Sequence, residues 1–203
     1  MEYKKQLDKQ LDKQLDQHNP IYFQSTIIYK SMISNDLKDD ILNYYLNLVD
    51  HNVVSDNGSA YFPKRKTIKN IPQHFAQQLE KELLITMSQY YLKFIPNIDY
   101  IRIYHSNYGI VKPHKDISIK PTDTHTCLIY LTDDFYGGIL SVKIPRSEEH
   151  IKLFHQEEKK HITVTIEPRQ SYGIIFPKNM VHYNDELLSG DKIILLIDCE
   201  IQY

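Results

Sequence analysis

His114-Lys115-Asp116 places an imidazole and a carboxylate two positions apart. In an extended chain, residues i and i+2 point to the same side, so the two groups can converge on one point. A third ligand from a distant strand would complete a two-histidine, one-carboxylate set. Such a set occupies one face of a metal and leaves three positions open for other molecules. The pair alone carries little weight, because the chain has ten histidines and frequent aspartate. The wider spacing gives it weight. His182 follows directly on the apolar run YGIIFP, and Lys192, ten positions later, opens the apolar run KIILLIDCEI. A lysine entering such a strand is costly to bury unless an anion meets it. Taken by itself it would flank the strand and extend outward. Facing inward, it is a point charge awaiting the far end of a dicarboxylate.

These residues need strands to hold them. From about residue 99, short β-rich runs succeed one another: DYIRIYH, THTCLIYLTD, GGILSVKI, HITVTIEP, YGIIFP and KIILLIDCEI, with turn signals between them. Residues 145–160 form a long charged break. Upstream, 21–30 reads as one strand. Ser34 or Asn35 can cap a helix whose apolar face holds Ile41, Tyr44, Tyr45 and Leu48. Residues 50–72 read as a polar loop, and its run Pro63-Lys64-Arg65-Lys66 reads as solvated, with contact to nucleic acid or an acidic substrate as the alternative. A second helix is expected at about 73–94, with Phe75, Leu79, Leu83, Leu84 and Met87 on one side. Helices followed by short strands indicate an α+β chain with helices packed on a β-barrel or sandwich.

Residues 5–16 repeat Lys-Gln-Leu-Asp three times. Leu7, Leu11 and Leu15 then form a narrow stripe, read as a frayed helical extension over 1–20 that precedes a single domain at 21–203. The 203 residues and 41% hydrophobic content are those of one globular domain. The net charge of −2 offers no field for nucleic acid or anionic membrane. Cys127 and Cys199, the two cysteines, lie in apolar runs and read as buried free thiols. No secretory leader or membrane span is visible, so a soluble, intracellular chain is expected. His150, His155 and His161, in or beside the charged break, read as solvated.

At this point the residues resemble the prolyl 4-hydroxylase branch of the Fe(II)/2-oxoglutarate dioxygenases. The resemblance runs over about 25–200 and is dense only over 99–199. It comprises the H-x-D at His114 and Asp116, the distal His182, and the basic residue Lys192. Tyr104, ten before the first histidine, and Tyr130, within Thr126-Cys127-Leu128-Ile129-Tyr130-Leu131, match two family tyrosines. Gly137–Leu140 (GGIL) matches the hairpin that follows, and Pro168–Phe176 is similar to the family's P-x-x-G-x-x-x-x-F. Two departures stand out: Ser171 replaces the usual glycine, and Leu196 a frequent threonine.

The resemblance implies a double-stranded β-helix, or jelly-roll, barrel over about 99–203, supported by N-terminal helices. It implies Fe(II) held by His114, Asp116 and His182, with 2-oxoglutarate held by Lys192, Tyr104 and Tyr130. The reaction consumes dioxygen, with ascorbate as a reductant. It releases succinate and CO2 and hydroxylates a side chain of a protein or peptide, most simply at proline. The same chemistry on a methylated base in nucleic acid or on a small molecule is a second reading, weakened by the lack of a broad basic stripe. A non-catalytic barrel serving as a binding module is a third, weakened by the intact triad.

Overall fold

The computed structural model describes residues 21–23, 26–29, 31–50, 55–57, 65–88, 93–118, 120–145 and 161–202. The leucine repeat, most of the charged break with His150 and His155, and Pro63-Lys64 lie outside the described residues.

Thirteen described strands form two sheets. The larger contains β1 (Ile21–Phe23), β2 (Thr26–Tyr29), β3 (Ser55–Asn57), β4 (Arg65–Lys69), β5 (Lys93–Ser106), β7 (His125–Tyr130), β11 (Gly173–Pro177) and β13 (Lys192–Gln202). Its order is β1-β2-β11-β7-β13-β5-β4-β3. The smaller runs β10-β9-β12-β6, from β6 (Gly109–His114), β9 (Leu140–Pro145), β10 (His161–Ile166) and β12 (His182–Ser189), while β8 (Tyr136–Gly137) pairs with β12. All the described pairings are antiparallel.

Period-two alternation gives the large sheet two different faces. Ile101, Ile103, Cys127, Ile129, Ile193, Leu195, Ile197 and Cys199 point to one side and pack with helix residues. The helices are α1 (Asn35–Asp50) and α2 (Gln73–Ser88). Ala76, Leu79, Leu83 and Met87 are the buried positions of α2, spaced three and four apart as one helix face requires. Leu84, expected on that face, is 41% exposed, because it sits about 100° around the helix from Leu83. Ser34 caps α1: its Oγ accepts from Leu37 N–H at 3.3 Å. The Glu82 carboxylate accepts from Ser34 N–H and Oγ–H at 2.6 and 2.8 Å, tying the start of α1 to α2. The opposite face of the sheet supplies Leu128, Tyr130, Ile174, Phe176 and Ile194, which pack against Leu140, Val142, Ile144 and Ile166 of the smaller sheet. Both cysteines are buried and free.

Three expectations change. The 21–30 strand is a hairpin of two strands, β1 and β2, which extends the large sheet beyond β11. The 50–72 loop contains β3 and β4. Arg65 and Lys66 therefore belong to a strand, because β4 pairs with the outer edge of β5 and satisfies its backbone. The second helix ends at Ser88 and β5 starts at Lys93, earlier than 99, because the eleven-residue β13 needs a partner along its length, out to Gln202↔Lys93.

Ser171, in place of the resembling family's glycine, has φ of 62°. The turn thus keeps the left-handed backbone that glycine adopts freely. Its N–H donates to Tyr130 O at 2.9 Å and its O accepts from Met32 N–H at 2.9 Å. Its buried Oγ donates to Asn35 Oδ1 at 3.0 Å, an anchor that glycine lacks. We expect Ser171→Ala to retain the strain and lose that hydrogen bond, costing about 1 kcal/mol. Ser171→Gly should land closer to wild type, since relief of about 1–2 kcal/mol of left-handed strain offsets the loss. Urea denaturation midpoints of the two variants check the order; Ala more stable than Gly would refute it.

Candidate functional site

The antiparallel register of β6 and β12 places His182 opposite His114. Their rings lie 4.2 Å apart between centroids, at 54°. Asp116 follows β6, and its N–H donates to Lys178 O at 3.0 Å. Asp116 Oδ1 lies 3.8 Å from His114 Nε2 and 3.7 Å from His182 Nε2. The three ligand atoms all fall within 4.8 Å of one another, and among the described residues this is the group so arranged.

The surroundings decide which atoms face the common point. His114 Nδ1 is 2.8 Å from Lys112 O, and His182 Nδ1 is 3.1 Å from Met180 O. A carbonyl only accepts, so each Nδ1 carries the proton and each Nε2 keeps a lone pair. The Asp116 Oδ2 atom accepts from Thr126 Oγ–H at 2.6 Å, which turns Oδ1 toward the imidazoles. Burial lowers the His182 pKa, and the His114 charge lowers it further against opposition from Asp116 and the Met180 carbonyl. Phe176, which ends the apolar run before the turn, packs on the His182 ring at 4.7 Å. Two neutral imidazoles and one carboxylate so oriented suit a divalent first-row metal with open positions.

Tyr104 joins the three in a cavity of about 650 Å³, with Tyr100, Arg65, Arg102, Asn184 and Asp198 also in its wall. Lys192 and Tyr130 are not in that wall. Lys192 is 5% exposed and lines a void of about 30 Å³ beside it, and Arg65, Tyr104, Asn184 and Ile194 border both spaces. Two successive left-handed glycines, Gly137 (φ 79°) and Gly138 (φ 65°), turn the chain so that Gly138 O accepts from Lys192 Nζ. A Cβ on Gly137 would stand 2.0 Å from Glu186 O, which explains the GGIL run. Lys192 Nζ lies 5.6 Å from the Tyr130 ring centroid. The Tyr130 hydroxyl is fully buried without a hydrogen-bond partner among the described residues. A bound carboxylate can accept from a buried ammonium and from an orphaned hydroxyl alike.

Several wall residues were not singled out in the sequence. Arg102 and Asp198 were legible in principle, because counting by twos from Tyr104 and Lys192 puts them on the cavity face. Thr126, named only as part of the motif around Tyr130, lies on the same face by the same count and supports Asp116 from behind the wall. Arg65 stood out only as part of the basic run Pro63-Lys64-Arg65-Lys66, with no alternation to turn it toward the cavity. Among the described residues no helix is long and apolar enough to cross a membrane.

Burial depresses the Lys192 pKa from 10.5 to about 7, against opposition from Asp185. In the unfolded chain a lysine titrates near 10.4. Above about pH 7 the folded state therefore holds fewer protons than the unfolded state, and stability rises with pH. We expect the ligand-free protein to gain stability from pH 7 to about 8.5, below the range where buried thiols and tyrosines reverse the trend. The Lys192→Met variant should lose that rise. Denaturant titrations across this range test it; parallel profiles for the two proteins would refute it.

A search with the sequence finds no matching family model and no matching curated protein. The fold, by contrast, has solved counterparts. A Pseudomonas putida prolyl-4-hydroxylase superposes with a TM-score of 0.61 at 10% identity, covering 88% of this chain and 94% of that one. A prolyl hydroxylase from Trichoplax adhaerens, in complex with a hypoxia inducible factor peptide fragment, gives 0.60 at 14% identity, covering 98% and 92%. The α-ketoglutarate-dependent epimerase SnoN of nogalamycin biosynthesis gives 0.61 at 11%, covering 87% and 78%. With these counterparts over nearly its whole length, the chain has the fold of the Fe(II)- and 2-oxoglutarate-dependent oxygenases, prolyl 4-hydroxylases among them.

Proposed function

We propose that the protein is an Fe(II)- and 2-oxoglutarate-dependent dioxygenase that hydroxylates a side chain of a protein or peptide, in the manner of a prolyl 4-hydroxylase. The observation that carries this reading is the convergence of His114 Nε2, Asp116 Oδ1 and His182 Nε2 at the wall of a cavity, with a buried lysine alongside. The fold and its solved counterparts support it. On this reading the two facing sheets are a double-stranded β-helix, and 21–203 is one domain.

Bound iron with 2-oxoglutarate supplies the activation of dioxygen, giving succinate, CO2 and a hydroxylated C–H bond. The chain's own residues prepare for it. His114, Asp116 and His182 hold the metal on one face. Lys112 O and Met180 O fix the imidazole tautomers, and Thr126 fixes the carboxylate rotamer. Lys192 takes the distal carboxylate of the dicarboxylate, aided by the Tyr130 and Tyr104 hydroxyls. Holding that end fixes the orientation of the other. The apolar side chains of Leu128, Leu140 and Ile194 in the cavity wall limit water near the metal. Ascorbate, if used, would act as an external reductant.

Anaerobic titration with Fe(II) and 2-oxoglutarate should produce a visible charge-transfer band, and succinate should form in air over a screen of proline-containing peptides. His114→Ala and Asp116→Ala should abolish both; succinate formation in either variant would sink the ligand assignment. The Thr126→Val variant, nearly isosteric, should weaken metal binding about 10- to 100-fold through loss of the carboxylate's partner. An unchanged metal affinity would remove Thr126 from this role. Lys192→Ala should weaken 2-oxoglutarate binding at least about tenfold while leaving metal affinity in place; equal cosubstrate affinity would contradict its assignment.

A further inference from the structure

One rung of the large sheet carries three residues that bear on the site. β13 and β7 pair Asp198 with Thr126, and β7 and β11 pair Thr126 with Phe176. Residues directly opposite in antiparallel strands share a face. Two of the three act on the candidate ligands directly. Thr126 Oγ–H donates to Asp116 Oδ2 at 2.6 Å, and the Phe176 ring packs on His182 at 4.7 Å. Asp198 is bonded to two cations instead: its Oδ1 accepts from Lys178 Nζ at 2.8 Å and from Arg102 Nη2 at 2.7 Å.

Lys178 carries the effect of Asp198 to Asp116. It stands in the turn between β11 and β12 and is 3% exposed. Its backbone O accepts from Asp116 N–H at 3.0 Å, and its Nζ donates to Ile117 O at 3.4 Å. One residue thus grips the Asp116–Ile117 dipeptide at both ends. Its N–H donates to Thr124 O at 3.0 Å, which ties the same turn to the chain entering β7. A buried ammonium keeps this place only while an anion meets it, and Asp198, buried on β13, is that anion. Stability alone does not call for such a pair, because apolar residues of the same volume are often as stable or more so. What the charge-assisted bond adds is a defined position for the ammonium, and with it for the turn.

We infer that Asp198 is a positioning residue for the metal site: through Lys178 it holds the backbone of Asp116 so that Oδ1 stays aimed at the two imidazoles. This rests on the reading of His114, Asp116 and His182 as metal ligands. Thr126 fixes the rotamer of the carboxylate, and the Asp198–Lys178 pair fixes the backbone that bears it. Both supports come from one rung. Asp198 shares β13 with Lys192, and an even separation puts the two on one face. The same strand therefore sets the metal carboxylate and the buried lysine relative to each other.

The test compares the full wild-type chain with Lys178→Met, which keeps the side-chain length, removes the ammonium and leaves Asp198 paired with Arg102. Amide hydrogen exchange is followed by NMR in the metal-free proteins, at Asp116 and at Tyr130, whose N–H donates to Tyr172 O and serves as the reference. Mn(II) affinity is measured separately by calorimetry. In the wild type the Asp116 amide should exchange at least about tenfold more slowly than in an unstructured peptide. In Lys178→Met it should speed up at least about tenfold relative to Tyr130, and Mn(II) should bind about 10- to 100-fold more weakly. Lys178→Arg, which keeps a cation beside Asp198, should recover part of both losses. Should Lys178→Met not fold, Lys178→Gln is read in the same way. A purely structural role would quicken both amides alike and leave the affinity of the folded protein unchanged; that result would overturn the inference, as would an unprotected Asp116 amide in the wild type. Wild-type protein that binds no Mn(II) would overturn the metal reading, and the inference with it. Wild-type binding that Lys178→Met leaves unchanged would overturn the inference alone.

Discussion

The cavity depends first on one backbone register, the pairing of β12 with β6 that sets His182 opposite His114. A slip of one residue would turn one imidazole to the other face of the smaller sheet. The register is held from both sides. β12 pairs with β9 through His182↔Val142, Tyr183↔Ser141 and Asn184↔Leu140, and Val142 and Leu140 are buried between the sheets. Moving β12 relative to its neighbours would therefore bring exposed residues into the inter-sheet core. Asp116 is brought in by a different route: its N–H on Lys178 O and its carboxylate on Thr126 tie the segment after β6 to the turn before β12 and to β7. The three donor atoms are thus set by strand pairing and two hydrogen bonds.

The large sheet divides its labour by face. Toward the helices it is continuously apolar, which supplies the burial that stabilises the fold at about 25 cal/mol per Å² of apolar surface removed from water. Toward the smaller sheet it mixes apolar residues with Lys192, Arg102, Asp198, Thr126 and Tyr130. Charges placed there cost desolvation free energy that the apolar face must offset. The cost is visible at Lys192, whose ammonium is destabilised to a pKa of about 7. A group held in so unfavourable a state gains more from an incoming carboxylate than a solvated lysine would.

The sequence made the metal-ligand candidates and the strand series legible because both follow local rules. His114 and Asp116 are an i, i+2 pair, and the β-rich runs of β5, β7 and β13 can be read directly. The helix faces were read in large part: Leu79, Leu83 and Met87 are buried as their spacing requires, while Leu84 is not. The two strands within 50–72, β3 and β4, were the principal omission. β4 has no apolar alternation, RKTIK, and forms because the edge of β5 offers unpaired backbone groups, a tertiary fact with no local trace. With β4 missed, Arg65 was assigned to a solvated loop. Ser171 shows the converse: the resemblance marked it as a usual glycine position, and the structure keeps the left-handed backbone while adding a hydroxyl anchor to Asn35.

The placement of Arg65 bears on how the two spaces of the site communicate. It borders both the metal cavity and the void at Lys192, as do Tyr104, Asn184 and Ile194. The stacked Arg65–Tyr104 pair is therefore a shared wall, with the metal ligands on one side and the lysine on the other. The Tyr104 hydroxyl lies 3.5 Å from Arg102 Nη1 while Arg65 covers the ring, so both guanidiniums bear on this one tyrosine.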